Sequence, residues 1–153
     1  MPSRDAVEIR SAVLNDVEAI LAIERLAPSA AHWTAEQYNK MVDSHSGVVL
    51  VAKAAGKLGG FICGKVFAGE WEIENVVVAA EFLRRGVADE LMRSLIQRAR
   101  SEAASAILLE VRESNRPARG LYLKHGFGET GRRRSYYNSP PEDAILYTLR
   151  FDD

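Results

Sequence analysis

Apolar and polar positions along this chain change period several times, and each change marks an element. Val7 to Val13 alternates with the period of two expected of a strand. Asn15 then offers a helix N-cap, with Glu18 three residues on as its capping-box partner. Val17, Ile20, Leu21 and Ile23 form the apolar stripe of the helix this predicts over Asp16 to Leu26, and Pro28 stops it. Thr34 with Gln37 repeats the cap signal, so a short helix runs to about Val42. Val48 to Ala54 and Leu58 to Phe67 read as strands joined by the turn Ala55-Gly56-Lys57, and Trp71 to Val78 reads as the next strand after Gly69-Glu70.

The longest helical signal covers Arg85 to Glu102. There Val87, Leu91, Leu95 and Ala99 recur every four residues, with Ala88, Met92 and Ile96 beside them. Ala106 to Arg112 returns to a strand, and Asn115 caps a short helix ending near His125, with Gly126 as its C-terminal glycine. Strands near Gly128 to Tyr137 and Asp143 to Phe151 close the chain, linked by a loop over Asn138 to Pro141. The order βααβββαβαββ predicts an α/β (α+β) fold: a mixed central sheet of about seven strands with about four helices on both faces.

Composition narrows the class. The length of 153 residues predicts one domain over 1–153, and 47% hydrophobic content suffices for a sizeable core. A net charge of -1 argues against a general nucleic-acid binder, although not against a local basic patch. The lone cysteine, Cys63, excludes an internal disulfide and fits a reducing, cytoplasmic setting. The N-terminal residues lack the apolar core of a signal peptide, and no run approaches the ~20 apolar residues of a membrane span.

Three places carry candidate chemistry. Between the Val76-Val77-Val78 run and the long helix stand Arg84, Arg85 and Gly86. A strand, a basic glycine turn and a helix start make an anion site, because the first helical N–H groups have no internal partner and the dipole favours negative charge. Glu110 shares a strand face with Leu108 and Arg112, and a carboxylate in so apolar a strand is costly unless paired or functional. An ion pair with Arg112 or another neighbour is the plain alternative. Tyr122 lies in a short amphipathic helix, where a core tyrosine usually ties its hydroxyl to something polar. Asn115 is explained by capping alone, His125 by the helix dipole, Trp33 by a staple onto the second helix, Arg132-Arg133-Arg134 by a solvated strand edge, and Tyr136-Tyr137 by ordinary strand aromatics. His32, His45 and His125 show no metal spacing with one another or with Cys63.

Taken in order, these pieces resemble the GNAT superfamily of N-acetyltransferases over nearly the whole chain. Its acyl-CoA motif has arginine or glutamine, two residues, glycine, one residue, then glycine or alanine; here Leu83-Arg84-Arg85-Gly86-Val87-Ala88 follows it except at Leu83. Within that superfamily the chain looks most like the ribosomal-protein-alanine N-acetyltransferases. The signatures are Ile23-Glu24-Arg25 followed by Trp33, Leu109 to Arg112 followed by Ser114-Asn115, Ala118 to Phe127, and Tyr136-Tyr137 followed by Glu142 to Ile145.

The resemblance implies acetyl transfer from acetyl-CoA to a protein α-amine, with no metal and a small-subunit ribosomal protein among the natural acceptors. It implies Glu110 as general base, acting through a water, and Tyr122 as the acid that protonates the departing thiolate. Arg84, Arg85, Gly86, Val87, Ala88 and Asp89 would hold the pyrophosphate, Val76, Val77 and Val78 would pair with the pantetheine arm, and Asn115 would touch CoA. A backbone N–H near Val78 would stabilise the acetyl oxygen, and Trp33, Tyr136 and Tyr137 would line the peptide cleft. A small-molecule amine or lysine acceptor, and an acyl-CoA sensor without turnover, remain the rival readings.

Overall fold

The computed structural model describes residues 6–27 and 32–151. In chain order these form β1 (Val7–Ser11), α1 (Val17–Leu26), α2 (Ala35–Asp43), β2 (Gly47–Ala54), β3 (Lys57–Phe67), β4 (Glu70–Val78), α3 (Val87–Ser101), β5 (Ala106–Arg112), α4 (Arg116–Lys124), β6 (Gly128–Asn138) and β7 (Pro141–Arg150). Short 3₁₀ turns occupy Leu14–Asp16 and Ala80–Phe82. The strands make one mixed sheet of order β1-β2-β3-β4-β5-β7-β6, in which β4 and β5 are parallel and every other pair is antiparallel.

Helices cover both faces, as the element order predicted. On one face Val87, Leu91, Met92, Leu95 and Ala99 of α3 pack with Leu50, Ile62, Ile107 and Leu109, joined by Tyr122 of α4. On the other, Val17 and Ile20 of α1 and Tyr38 and Met41 of α2 pack on Val49, Val51, Phe61, Cys63 and Val77. Each fully buried aliphatic side chain contributes roughly 1.5–3 kcal/mol. A close approach helps the first face: a Cβ on Gly60 would stand 3.1 Å from Val87 and 3.3 Å from Leu91, so glycine there lets α3 lie against β3.

Local rules explain most boundaries. The predicted capping box of α2 is present: Gln37 N–H donates to the Thr34 hydroxyl, and Thr34 N–H donates to the Gln37 side-chain oxygen. The cap expected from Asn15 is not made: Asp16 holds the N-cap position of α1, and no side chain caps the helix there. The Asp16 carboxylate accepts from Val13 N–H at 2.7 Å and pairs with Arg10, which turns the chain before α1. Helix α3 starts at Val87 rather than Arg85, because Arg84 (φ 64°) and Gly86 (φ 77°) are left-handed and cannot continue a right-handed helix. The link over 138–141 is shorter than expected: β6 reaches Asn138 and β7 begins at Pro141. Pro28, expected to stop the first helix, lies outside the described residues.

Two departures from regular pairing position the site. β4 pairs with β5 only through Glu70–Ala106, Trp71–Ile107 and Glu72–Leu108, after which the strands part. β4 is also bulged: Cys63 faces Asn75 and Gly64 faces Ile73, so Glu74 is the extra residue. The bulge flips the alternation. Trp71 and Ile73 face α3 before it, whereas Asn75 precedes Val77, which packs on the α1–α2 side.

Candidate active site

The parting of β4 from β5 opens a cleft of about 1210 Å³. Ile73 to Ala80 form one wall and Leu109 to Arg112 the other; Ile23 and Leu26 of α1, Asn115, Leu121 and Tyr122 of the α4 region, and Tyr137 complete the lining. Because β5 supplies no ladder partner beyond Glu72, that side of β4 has backbone groups open to an added strand-like ligand. At one end the cleft meets Leu83 and Ala88, beside the α3 N-terminus. The first helical bond there runs from Glu90 N–H to Gly86 O, which leaves the N–H groups of Val87, Ala88 and Asp89 without intrahelical partners. Those free donors, with the dipole behind them, suit a phosphate.

Of the residues singled out from sequence, Val76, Val77, Val78, Ala88, Glu110, Asn115, Tyr122 and Tyr137 line this cleft. Arg84, Arg85 and Gly86 form the exposed turn at its end, where the Arg85 guanidinium lies 5.7 Å from the Phe82 ring centre. Val87 is buried under the turn. The Asp89 carboxylate is occupied, at 3.0 Å from Lys124 and 2.9 Å from His125, and so ties α3 to α4. Burial opposes its charge, but the bonds from His125 and Lys124 outweigh that and hold the carboxyl below its usual range. Trp33 and Tyr136 lie outside the lining: Trp33 stacks near Tyr38, and Tyr136 stands edge-on to Tyr137.

Glu110 is largely covered, with 19% of its side chain exposed, and its ion-pair partner is Arg133 at 3.1 Å. Arg112, the neighbour first considered, turns instead to Glu142 at 3.2 Å and to the Tyr137 ring at 4.2 Å. Asn115 does cap α4, accepting from Ala118 N–H while also facing the cleft. Tyr122 is buried between Phe127 and Tyr147, and among the described residues nothing hydrogen-bonds its hydroxyl. Burial pushes its phenol up to about 12, so it carries its proton at neutral pH.

Several polar groups near the cleft were given no role from sequence, Glu24 having entered only within a family signature. Glu24 of α1 is almost fully buried, accepting from Trp33 N–H and the Tyr38 hydroxyl, and Asn75 donates to that hydroxyl. A charge interrupting the stripe of Ile20, Leu21 and Ile23 was the available signal. Glu72 and Glu74 alternate with Trp71 and Ile73 on β4, and Glu74 lines the cleft beside Lys65 at 3.3 Å. Arg133, expected to be a solvated edge residue, reaches Glu110. Among the described residues no cluster of His, Cys, Asp and Glu could hold a metal ion, and no helix is long and apolar enough to cross a membrane.

Comparison with known proteins decides the family. Residues 14–127 match the Acetyltransferase (GNAT) family. The chain belongs to the GNAT acetyltransferases. This GNAT chain is 32% identical over 124 residues to the N-alpha-acetyltransferase RimI of Mycobacterium tuberculosis, covering 78% of this chain and 75% of that one. It is 30% identical over 155 residues to an N-alpha-acetyltransferase of Sulfurisphaera tokodaii, covering 90% and 89%. Among solved structures, the ribosomal-protein-S18-alanine N-acetyltransferase of Escherichia coli superposes with a TM-score of 0.87 at 27% identity, over 97% of this chain and 96% of that one. The GNAT fold and the acyltransferase class anticipated from the sequence are thus met, and acetyl-CoA is the family's acyl donor.

Proposed function

We propose that this GNAT acetyltransferase transfers the acetyl group of acetyl-CoA to the α-amine of a protein N-terminus, an alanine of a small-subunit ribosomal protein being the leading acceptor. The observation that carries the reading is the pairing, in one cleft, of a covered carboxylate with a buried, protonated phenol: Glu110 and Tyr122. The likeness to proteins named N-alpha-acetyltransferase supports the α-amine over a lysine side chain. On this reading the whole chain works as one unit in the cytoplasm, where ribosomal proteins are made.

The donor half fits acetyl-CoA. Free N–H groups of Val87, Ala88 and Asp89 would receive the pyrophosphate, so the charge lost by having Leu83 in the motif matters little. The open side of β4 around Val76, Val77 and Val78 would hold the amide-rich arm as an extra strand, with a backbone N–H near Val78 on the acetyl oxygen. Asn115 would contact the CoA body, and Arg84 and Arg85 would add charge at the rim.

An α-amine with a pKa near ~8 is partly protonated at neutral pH and must lose a proton before it attacks. Glu110 takes that proton, through a water in the cleft, while the amine nitrogen bonds to the acetyl carbon. As the tetrahedral species collapses, the carbon–sulfur bond breaks and the leaving thiolate takes the Tyr122 proton. Burial keeps the Tyr122 hydroxyl protonated at neutral pH, so its proton is available as negative charge builds on the sulfur. Trp33, Tyr136 and Tyr137 would flank the incoming peptide.

The test is mass spectrometry of candidate N-terminal peptides after incubation with acetyl-CoA. An alanine-starting ribosomal peptide should gain one acetyl group and the same peptide blocked at its amine should gain none. Acetylation of the blocked peptide at lysine, or of small amines alone, would replace the α-amine reading. CoA binding with no transfer to any amine would replace the enzyme reading by a sensor.

A further inference from the structure

The β6–β7 hairpin places a cation on the carboxylate that serves as the base, and the sheet register explains how. Arg112 of β5 faces Ala144 of β7, and Ala144 faces Arg133 of β6, so these three side chains leave the same face of the sheet. Glu110, two residues before Arg112, shares that face. The side chain of Arg133 must therefore cross β7, a span of about 10 Å from β6 to β5. The residue it crosses is Ala144, fully buried and too small to block the way. Beyond Arg133 the strand is irregular: Arg134, Ser135 and Tyr136 stand opposite Asp143 alone. Ser135 (φ 51°) gives its N–H to Asp143 at 2.8 Å, and Arg132 gives a guanidinium N–H to the same carboxylate. These bonds pin the hairpin just where Arg133 leaves it. The Tyr136 ring, 5.2 Å from the guanidinium carbon, backs the side chain.

We infer that Arg133 is a positioning residue for acetyl transfer, holding the Glu110 carboxylate in the cleft with one oxygen engaged and the other left for the acceptor. The contact is an ion pair, Nη2 to Oε1 at 3.1 Å, and among the described residues no other ion pair or hydrogen bond engages Glu110. The surroundings call for such a cation. Glu72 on β4 lies within electrostatic reach of Glu110; burial and the charges of Glu74 and Glu110 raise the Glu72 carboxyl above its usual range, and Lys65 and Arg133 oppose that rise. Without Arg133, Glu110 would face the Glu72 carboxylate with no cation of its own and would turn away from it. The inference rests on Glu110 being the base.

The test uses the full chain with an alanine-starting peptide and acetyl-CoA. Arg133→Ala is expected to lower kcat about tenfold while leaving the KM for acetyl-CoA unchanged. Arg133→Lys should recover most of the rate, since it returns the charge, and added guanidinium should recover part of it in Arg133→Ala alone. In a Glu110→Gln background Arg133→Ala should cost nothing further, because both changes act through one carboxylate. Unchanged kcat in Arg133→Ala, no rescue by lysine or guanidinium, or a full tenfold loss added to that of Glu110→Gln would each overturn the inference and leave Glu110 as base. Unchanged turnover in Glu110→Gln itself would overturn the base assignment, and this inference with it.

Discussion

Along the β4 and α3 wall, what faces the cleft is mostly backbone; along the β5, β7 and β6 wall it is side chains. The first wall offers the unpaired edge of β4 and the free N–H groups at Val87, Ala88 and Asp89. The second offers Glu110, Arg112 and Tyr137, with Arg133 and Glu142 behind them. A backbone wall depends on conformation and tolerates exchange of side chains, so on the proposed function it can accept Leu83 at a position where the family motif has a polar residue. A side-chain wall depends on each residue, so it is where a particular acceptor can be chosen. The contrast suits a donor shared by a large family and an acceptor that differs among its members.

The contrast can be broken at its strongest point first. Glu110→Gln is expected to lower turnover about 10²- to 10³-fold while the affinity for acetyl-CoA, measured by calorimetry, stays unchanged. Loss of acetyl-CoA binding in that variant would mean the walls are not separable. Tyr122→Phe should slow transfer roughly 10²-fold. Since burial holds the phenol near about 12, its proton is present throughout the neutral range and is lost only as pH rises through that value. The rate should therefore show no alkaline loss from this group below about pH 11, one unit under its titration.

On the backbone wall, Gly86→Ala forces a φ of 77° on a side chain, although nothing lies within 4 Å of the new Cβ. The strain, roughly 1–2 kcal/mol, should raise the KM for acetyl-CoA about tenfold and leave the peptide KM alone. Leu83→Ala, a change of side chain without a change of backbone, should shift the same KM less than about threefold. A larger effect at Leu83 than at Gly86 would reverse the assignment of that wall to backbone.

The smallest effect concerns the turn that leads into α1. The Asp16 carboxyl is held below its usual range, chiefly by the Arg10 hydrogen bond. Its contribution is complete above the ordinary carboxylate range near ~4 and is lost as pH falls through the lower folded value. Asp16→Asn should cost about 1 kcal/mol at pH 7 and should flatten the acid side of the stability curve, as followed by thermal unfolding.

Period and capping signals located the elements because they act within a few residues. The fourfold spacing of Val87, Leu91, Leu95 and Ala99 gave α3 its buried face, and Thr34 with Gln37 gave α2 its start. The same local reading missed at Asn15: Asp16 stands at the N-cap position of α1, and its side chain turns back to Val13 N–H and to Arg10 of β1. It placed Glu110 on one strand face with Leu108 and Arg112 but left the partner open, because choosing between Arg112 and another cation depends on which strand lies across the sheet. It set Arg133 aside as an edge residue for that reason.

By itself, then, the sequence determined the order of strands and helices, the faces they bury, the glycine turn before α3 and the family to which the chain belongs. The first three follow from backbone sterics and periodicity over short spans, and the family from the resemblance of its motifs to the GNAT superfamily. Only the tertiary structure decided that β4 and β5 part after Glu72, that Glu24 is buried beneath Trp33 and Tyr38, and that Ala144 leaves room for Arg133 to reach Glu110. Those facts depend on register between segments far apart in the chain, and hydrophobic pattern alone does not encode which charged side chains the register will bring together.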